Sequence, residues 1–213
     1  HGHCGAVGNK YADTEADRQD HWNRMMAELM GKETGYCKGR GGSMHIAEVS
    51  KCNNLGSTGI VGGNHCPAVG AALAEKYKKT GKIVVSFFGD GSTNTGTFHE
   101  SMNMASTLKV PLVAVVENNL YGMSVPFSGS PVDGTLKASN IVDIAERSYA
   151  YNIPAMIVDG QDVIAVYLAV RSAARLARTD LQTVLVEAKT YRWYGHSRSD
   201  PREYRTKDEE KAW

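Results

Sequence analysis

Two short runs, Ile83-Val84-Val85-Ser86-Phe87-Phe88 and Leu112-Val113-Ala114-Val115-Val116, constrain the fold more than any other feature of the chain. Both are nearly continuous in apolar and β-branched residues, the pattern of strands buried on both faces of a parallel sheet. Between them Phe98, Met102, Ala105 and Leu108 recur at helical spacing, so strand, crossover helix and strand follow in order. The two runs are expected to be neighbouring central strands. A second such unit follows, with strands at Ile153 to Val158 and Thr183 to Ala188 and a helix whose inner face carries Val163, Val166, Val170, Ala173 and Leu176.

Upstream, Trp22 to Met30 and Ala68 to Lys79 have helical character, and the glycine-rich segment from Gly35 to Gly63 reads as loop. Ser124 to Ser139, with Pro126, Gly129, Pro131 and Gly134, is a long connection of the kind often given over to function. Alternating strands and helices argue for an α/β fold: a doubly wound, mainly parallel sheet with helices on both faces and ligands beyond the carboxyl ends of the strands. At 213 residues, 42% of them hydrophobic, one domain over residues 1–213 is expected. The chain opens on His1 and closes on Trp213 in a charged, helix-like segment, so a longer polypeptide is expected around it.

Twenty-four basic and 23 acidic side chains give a formal charge of +1, without a basic cluster to track a nucleic-acid backbone, so no nucleic acid is expected as partner. No run of about eighteen apolar residues occurs, which argues against a membrane. Cys4, Cys37, Cys52 and Cys66 lack zinc-site spacing and read as reduced thiols. His3, His45, His65 and His99 share no spacing that would gather them, and a structural role is expected of each.

The chemistry lies at the strand ends. The first strand runs into Gly89-Asp90-Gly91-Ser92-Thr93-Asn94, placing a carboxylate at the strand tip and small residues where the chain turns into a helix. Exposed main-chain N–H groups at such a turn suit a phosphate. An acidic side chain beside a phosphate is repulsive unless a cation lies between them, so Asp90 suggests a bridging divalent metal. The second strand runs into Glu117-Asn118-Asn119-Leu120-Tyr121-Gly122, bringing Asn119 to the same sheet edge one crossover later. Magnesium takes about six oxygens, usually only one or two of them from carboxylates. Gly-Asp-Gly alone is an ordinary turn and Asn-Asn alone an ordinary cap; both at adjoining strand tips give the arrangement that shared coordination requires.

With these residues the chain resembles thiamine-diphosphate enzymes, whose signature is Gly-Asp-Gly followed after a helix and strand by Asn-Asn. More closely, it is similar to the α subunit of the dehydrogenase component serving lipoyl-carrying complexes, in the acetoin and pyruvate dehydrogenase group. Further matching residues are His1-Gly2-His3-Cys4, the segment from Gly35 to His45, Gly59-Ile60-Val61-Gly62, Glu117 to Met123, and Thr190-Tyr191-Arg192-Trp193-Tyr194-Gly195-His196-Ser197. The resemblance implies a thiamine-diphosphate-binding fold with thiamine diphosphate and Mg2+ as cofactors. It assigns magnesium to Asp90, Asn119 and the main-chain carbonyl of Tyr121, the diphosphate to Gly91 and Ser92, and the aminopyrimidine to the backbone of Gly59 and Val61. Met123 would support the bent cofactor, with Asn119 also beside it. His1 and His196 would be the active-site histidines, orienting substrate and passing protons, as suits a group titrating near neutrality.

The same resemblance implies a β subunit supplying the glutamate that activates the cofactor, an α2β2 heterotetramer, a lipoyl-carrying acyltransferase as acceptor, and acetoin or a 2-oxo acid as substrate. Tyr36 to Gly39, Asn119 to Gly122 and Tyr204 to Lys207 lean toward acetoin, then pyruvate, then branched-chain 2-oxo acids. A cytoplasmic protein is expected, or one of the mitochondrial matrix in a eukaryote. Ser197 and Ser199 resemble positions phosphorylated in some eukaryotic relatives. Three departures stand out: the charged stretch Asn9 to Asn23 in place of a short connection, Thr95 where Glu or Gln is common, and His65-Cys66 in place of small apolar residues before Pro67. No Gly-x-Gly-x-x-Gly follows a strand, which disfavours an NAD dehydrogenase. A non-catalytic α/β assembly subunit is the other reading; Asp90, Asn119 and His196 together argue against it.

Overall fold

The computed structural model describes residues 14–128 and 136–213, without the side chains of residues 51 and 52. Its contacts gather into two compact units, His1–Ile60 and Val61–Trp213.

In the first unit, helix α1 spans Glu15–Leu29, and Thr14 caps it by accepting a hydrogen bond from the Asp17 main-chain N–H at 3.1 Å. Glu15 and Asp17 put negative charge in the first turn, where the helix dipole favours it. Ion pairs Arg18–Glu15 at 2.7 Å and Arg24–Asp20 at 2.8 Å run along the solvent side. From residue 15 onward, then, the charged stretch read as an extended connection is the first half of a helix; residues 9–13 lie outside the described part.

Near the end of α1, Glu28 is buried, 1% exposed, and its carboxylate organises the glycine-rich segment. Oε2 accepts the main-chain N–H groups of Cys37 at 2.8 Å and Gly39 at 2.9 Å, and Oε1 those of Gly41 at 2.6 Å and Gly42 at 3.2 Å. Glycine is required where the loop crosses the helix, since a Cβ at Gly35 would lie 2.6 Å from Glu28 Cα. The rest of the segment is irregular apart from helix α2, Val49–Cys52, and a bridge pairing Glu48 with Asn54.

The second unit holds a four-stranded parallel sheet: β1 (Val84–Gly89), β2 (Leu112–Asn118), β5 (Ala155–Asp159) and β6 (Val184–Lys189), in the order β1-β2-β6-β5. Between β2 and β5 come a two-stranded hairpin, β3 (Tyr121–Gly122) and β4 (Val125–Pro126), and a 3-10 helix at Ile144–Tyr151. Hence the long connection after Gly122 begins as a hairpin, a feature too short for periodicity to reveal.

Helices α3 (His65–Lys78) and α4 (Gly96–Leu108) cover one face of the sheet and α5 (Val163–Asp180) the other, so the doubly wound expectation holds. Alternation along β2 shows it directly: Leu112, Ala114 and Val116 join Val69, Phe98 and Met102, whereas Val113 and Val115 join Ala173, Ala177 and Val186. Each fully buried Val, Leu, Phe or Met among them contributes about 1.5–3 kcal/mol of transfer free energy, and each alanine less. Strand β1 departs from the expectation of a central strand buried on both faces. Among the described residues it pairs only with β2, and Val85 and Phe87 are 37% and 53% exposed because α5 packs on β2, β5 and β6.

Burial alone would raise the Glu28 pKa, but four N–H donors outweigh it and hold the carboxyl below its ordinary value of 4.5. Its stabilisation is therefore complete above that value and lost as pH falls through the depressed folded-state value. Glu28→Gln turns an amide NH2 toward two main-chain donors and is expected to cost about 2–4 kcal/mol. Denaturant unfolding and hydrogen exchange at Cys37, Gly39, Gly41 and Gly42 test this; unchanged protection at those amides would refute it.

Candidate functional site

Register fixes the site before any side chain is considered. Gly89 pairs with Glu117, and Asn118 with Lys189, so the residues after β1, β2 and β6 leave the sheet at one edge. After β1 the chain turns at once into a 3-10 helix, Asp90–Asn94, and after β2 it enters the hairpin. The two turns touch: a Cβ on Gly91 would lie 3.5 Å from Gly122 Cα. Asp90, Gly91 and Ser92 are thereby brought against the segment Asn119 to Gly122.

Asp90 is 2% exposed. Its Oδ1 accepts the Gly91 N–H at 2.8 Å, while Oδ2 is buried without a hydrogen-bond partner. Burial raises its pKa; the Gly91 N–H and the Arg192 charge oppose that, and Glu187 adds to it. A desolvated carboxylate oxygen with an idle lone pair is what a hard cation would satisfy. Asn119 is half-buried and its Oδ1 accepts the Tyr121 N–H at 3.3 Å, an Asx turn that fixes the side chain beside its own hairpin. Its neighbour Asn118 serves the fold instead, donating from Nδ2 to Glu187 at 2.7 Å and accepting from Leu120 N–H at 3.1 Å.

The hairpin is held from below by aromatic packing and from the carboxyl-terminal segment by charge. Tyr121 is buried, and its hydroxyl donates to Glu209 of helix α6 (Lys207–Ala212) at 2.7 Å. Burial and the Glu209 carboxylate push that phenol well above its ordinary pKa, and burial with Glu209 pushes Tyr191 up to about 12. The Tyr121 hydroxyl is committed to Glu209, which leaves its main-chain carbonyl as the group facing the turn after β1. Met123 has a left-handed backbone, φ 56°, and is 63% exposed, so it is no core methionine.

The segment after β6 supplies Arg192, which stands within the matching stretch Thr190 to Ser197 but to which the resemblance assigned no role. Arg192 donates through Nη1 to the Tyr121 carbonyl at 3.4 Å and through Nη2 to the Met123 carbonyl and the Tyr204 hydroxyl. Nη1 also lies 3.4 Å from His196 Nδ1, which ties His196 to the hairpin. Asp200 accepts from the His196 N–H, the Arg202 N–H and the Tyr204 hydroxyl at 2.7, 2.9 and 2.7 Å. The Tyr204 hydrogen bond, partly opposed by desolvation and helped by those amides, holds Asp200 down at about 2. Arg205 crosses beneath, donating to the carbonyls of Arg192 and Trp193, with Nε 2.9 Å from Glu210 as an ion pair. A charged residue three places after a buried strand was the available signal for Arg192, but its target lies about seventy residues upstream in sequence.

Other expected positions are less assembled. Gly59 belongs to the first unit, beside the His45 ring, and Val61 opens the second, 68% exposed. His1 lies outside the described residues. Ser197 and Ser199 are exposed, their hydroxyls 3.3 Å apart. Thr95, a departure in sequence, caps α4 by accepting the Phe98 N–H at 3.3 Å and donates to the Ser92 carbonyl at 2.8 Å. His65, expected to be merely structural, contacts Ser92. No helix of the described residues is long and apolar enough to cross a membrane.

The model of the dehydrogenase E1 component family matches residues 14–213. The chain belongs to that family. Among E1 relatives, it is 47% identical over 209 residues to the α subunit of acetoin:2,6-dichlorophenolindophenol oxidoreductase from Bacillus subtilis, covering 98% of this chain and 57% of that one. It is 40% identical over 185 residues to the α subunit of the pyruvate dehydrogenase E1 component from Rhizobium meliloti, covering 87% and 51%. This E1 chain thus spans about half the length of those relatives. A solved structure from Mycobacterium smegmatis, of an enzyme described as thiamin diphosphate-dependent, superposes with a TM-score of 0.50 at 21% identity, over 66% of this chain and 24% of that one. That likeness is one of fold, and it gives the E1 chain an α/β architecture shared with thiamine-diphosphate enzymes.

Because ionised Asp90 is disfavoured by folding, it lowers the stability of the ligand-free E1 chain above its ordinary carboxylate pKa, and the penalty vanishes at low pH, where Asp90 is protonated in both states. Asp90→Asn should therefore stabilise the ligand-free protein by about 1–3 kcal/mol at neutral pH. Thermal unfolding without added cofactor checks this; a lower midpoint for the variant at pH 7 would contradict it.

Proposed function

We propose that this chain is the cofactor-binding part of an E1 α subunit that holds thiamine diphosphate and Mg2+, and that the whole protein cleaves acetoin, or decarboxylates pyruvate, in partnership with a β subunit. The observation that carries the reading is the unpartnered, buried Asp90 Oδ2 in a turn packed against the Asn119 to Gly122 hairpin. The donor set fits a hard cation: one carboxylate, one amide oxygen on Asn119 and the Tyr121 carbonyl. Gly91 and Ser92 would meet the diphosphate, Gly59 and Val61 would meet the aminopyrimidine through main-chain atoms, and exposed Met123 would support the bent cofactor.

When bound, thiamine diphosphate supplies the electron sink for cleaving the bond beside a carbonyl. The chain's own residues bind and orient. Asp90 offsets metal charge, Arg192 keeps the Tyr121 and Met123 carbonyls in place, and Asp200, accepting the His196 N–H, fixes the backbone from which His196 would hold or pass a proton at substrate. His1 would be the second such histidine. Acetoin ranks first as substrate because the relative at 47% identity bears that name, with pyruvate next and branched-chain 2-oxo acids third. An α2β2 heterotetramer delivering the acyl unit to a lipoyl-carrying acyltransferase in the cytoplasm completes the reading.

Titration calorimetry of the full-length protein should give heat with thiamine diphosphate only when magnesium is present. Asp90→Asn and Asn119→Ala should each weaken that binding at least about tenfold, the loss of one ionic hydrogen-bond equivalent. Equal binding with and without magnesium would end the metal assignment. Dye reduction by the assembled α and β subunits, run with acetoin, pyruvate and 3-methyl-2-oxobutanoate, separates the substrates; no turnover on any of them defeats the enzymatic reading.

A further inference from the structure

His65 opens α3 and is 1% exposed, its ring set edge-on to Phe88 and Phe98 at centroid distances of 4.5 and 5.5 Å. Its Nε2 lies 2.8 Å from Oγ of Ser92, itself 5% exposed and two residues beyond Asp90 in the turn after β1. The other ring nitrogen, Nδ1, is buried without a hydrogen-bond partner. Burial lowers the imidazole pKa, opposed in part by the Ser92 main chain. A charged ring would carry an N–H at Nδ1, where no acceptor lies, so the packing favours the neutral ring with one N–H.

Two arrangements satisfy the 2.8 Å contact. If the serine hydroxyl donates to Nε2, the ring N–H sits on Nδ1, a buried donor with no acceptor, and the serine has spent its only proton. If Nε2–H donates to Oγ, the ring leaves an idle lone pair at Nδ1 and the serine proton stays free. Serine has one proton and two acceptor lone pairs, so a filled acceptor leaves the hydroxyl as a donor. A diphosphate oxygen is an acceptor, and hydrogen bonds to such charged oxygens are the stronger kind.

We propose that His65 is a positioning residue for the diphosphate: its Nε2–H donates to Ser92 Oγ and thereby commits the serine hydroxyl to donate to a phosphate oxygen of the bound cofactor. This rests on the cofactor reading above and adds to it a residue whose action passes entirely through Ser92. Two consequences follow. Removing His65 should weaken binding of the phosphate end, and it should do nothing further once Ser92 has lost its hydroxyl.

The test uses the full-length protein, with His65→Phe to keep the aromatic slot filled, Ser92→Ala, Ser92→Thr and the double variant His65→Phe/Ser92→Ala. Magnesium-dependent affinity is measured by calorimetry for thiamine diphosphate and for inorganic pyrophosphate. Each of His65→Phe and Ser92→Ala should weaken both ligands about five- to tenfold, the double variant no more than Ser92→Ala, and Ser92→Thr should recover most of the loss. Nitrogen-15 NMR of the native protein should find His65 protonated at Nε2 and bare at Nδ1, a signature that a merely space-filling ring would not need and that can be read even where a variant fails to fold. A proton on Nδ1, additive losses, or pyrophosphate affinity unchanged by His65→Phe or by Ser92→Ala overturns the proposal. In those cases wild-type binding survives and so does the cofactor reading, whereas absence of any magnesium-dependent binding by the wild type sinks both.

Discussion

Everything at the candidate site depends on the parallel pairing of β1 with β2 and of β2 with β6. Because Gly89 lies opposite Glu117 and Asn118 opposite Lys189, three chain segments far apart in sequence leave the sheet side by side. A slip of one residue would turn every inward side chain of β2 outward, so the buried alternation of Leu112 to Val116 over two hydrophobic layers locks the register. The packing that stabilises the sheet is thus also what aligns Asp90, the Asn119 hairpin and Arg192.

The site itself is the least satisfied part of that edge. A carboxylate is buried with one oxygen unpartnered, a leucine and a methionine adopt left-handed backbone, and one guanidinium divides its donors among two carbonyls, a tyrosine and a histidine. Such features cost stability and persist where the surrounding structure imposes them. Here the imposing structure is identifiable: the Tyr121 to Glu209 hydrogen bond and the packing of the Tyr121 ring against Tyr191 and Tyr204 pin the hairpin against the carboxyl-terminal segment, and Asp200 pins the backbone of His196.

Buried acids elsewhere do a different job. Glu28 in the first unit gathers four main-chain donors, and Glu187 in β6 accepts from Asn118 Nδ2 and the Ala145 N–H. Glu28 takes the place of regular secondary structure for a glycine-rich segment that has little, whereas Glu187 ties the end of β2 to the first turn of the 3-10 helix Ile144–Tyr151; the glycine-rich loop could thus be read as irregular from composition while its shape could not. An acid in an apolar strand or at the end of an amphipathic helix signals that some partner exists, but its partner is chosen by the fold.

Sequence alone determined the alternation of strand and helix, the doubly wound class, and the location of the chemistry at the ends of the first two strands, because strand burial and helical spacing are local patterns and Gly-Asp-Gly and Asn-Asn sit where those patterns stop. The tertiary structure decided what no local pattern encodes: that β1 has an exposed face among the described residues, that the charged stretch from residue 15 is helical, that Arg192 reaches back to the hairpin, and that His65 and Ser92 share a hydrogen bond across 27 residues. Those facts arise from which surfaces meet once the sheet is assembled, and meeting is set by register and packing over long separations, not by the chemistry of neighbours in the chain.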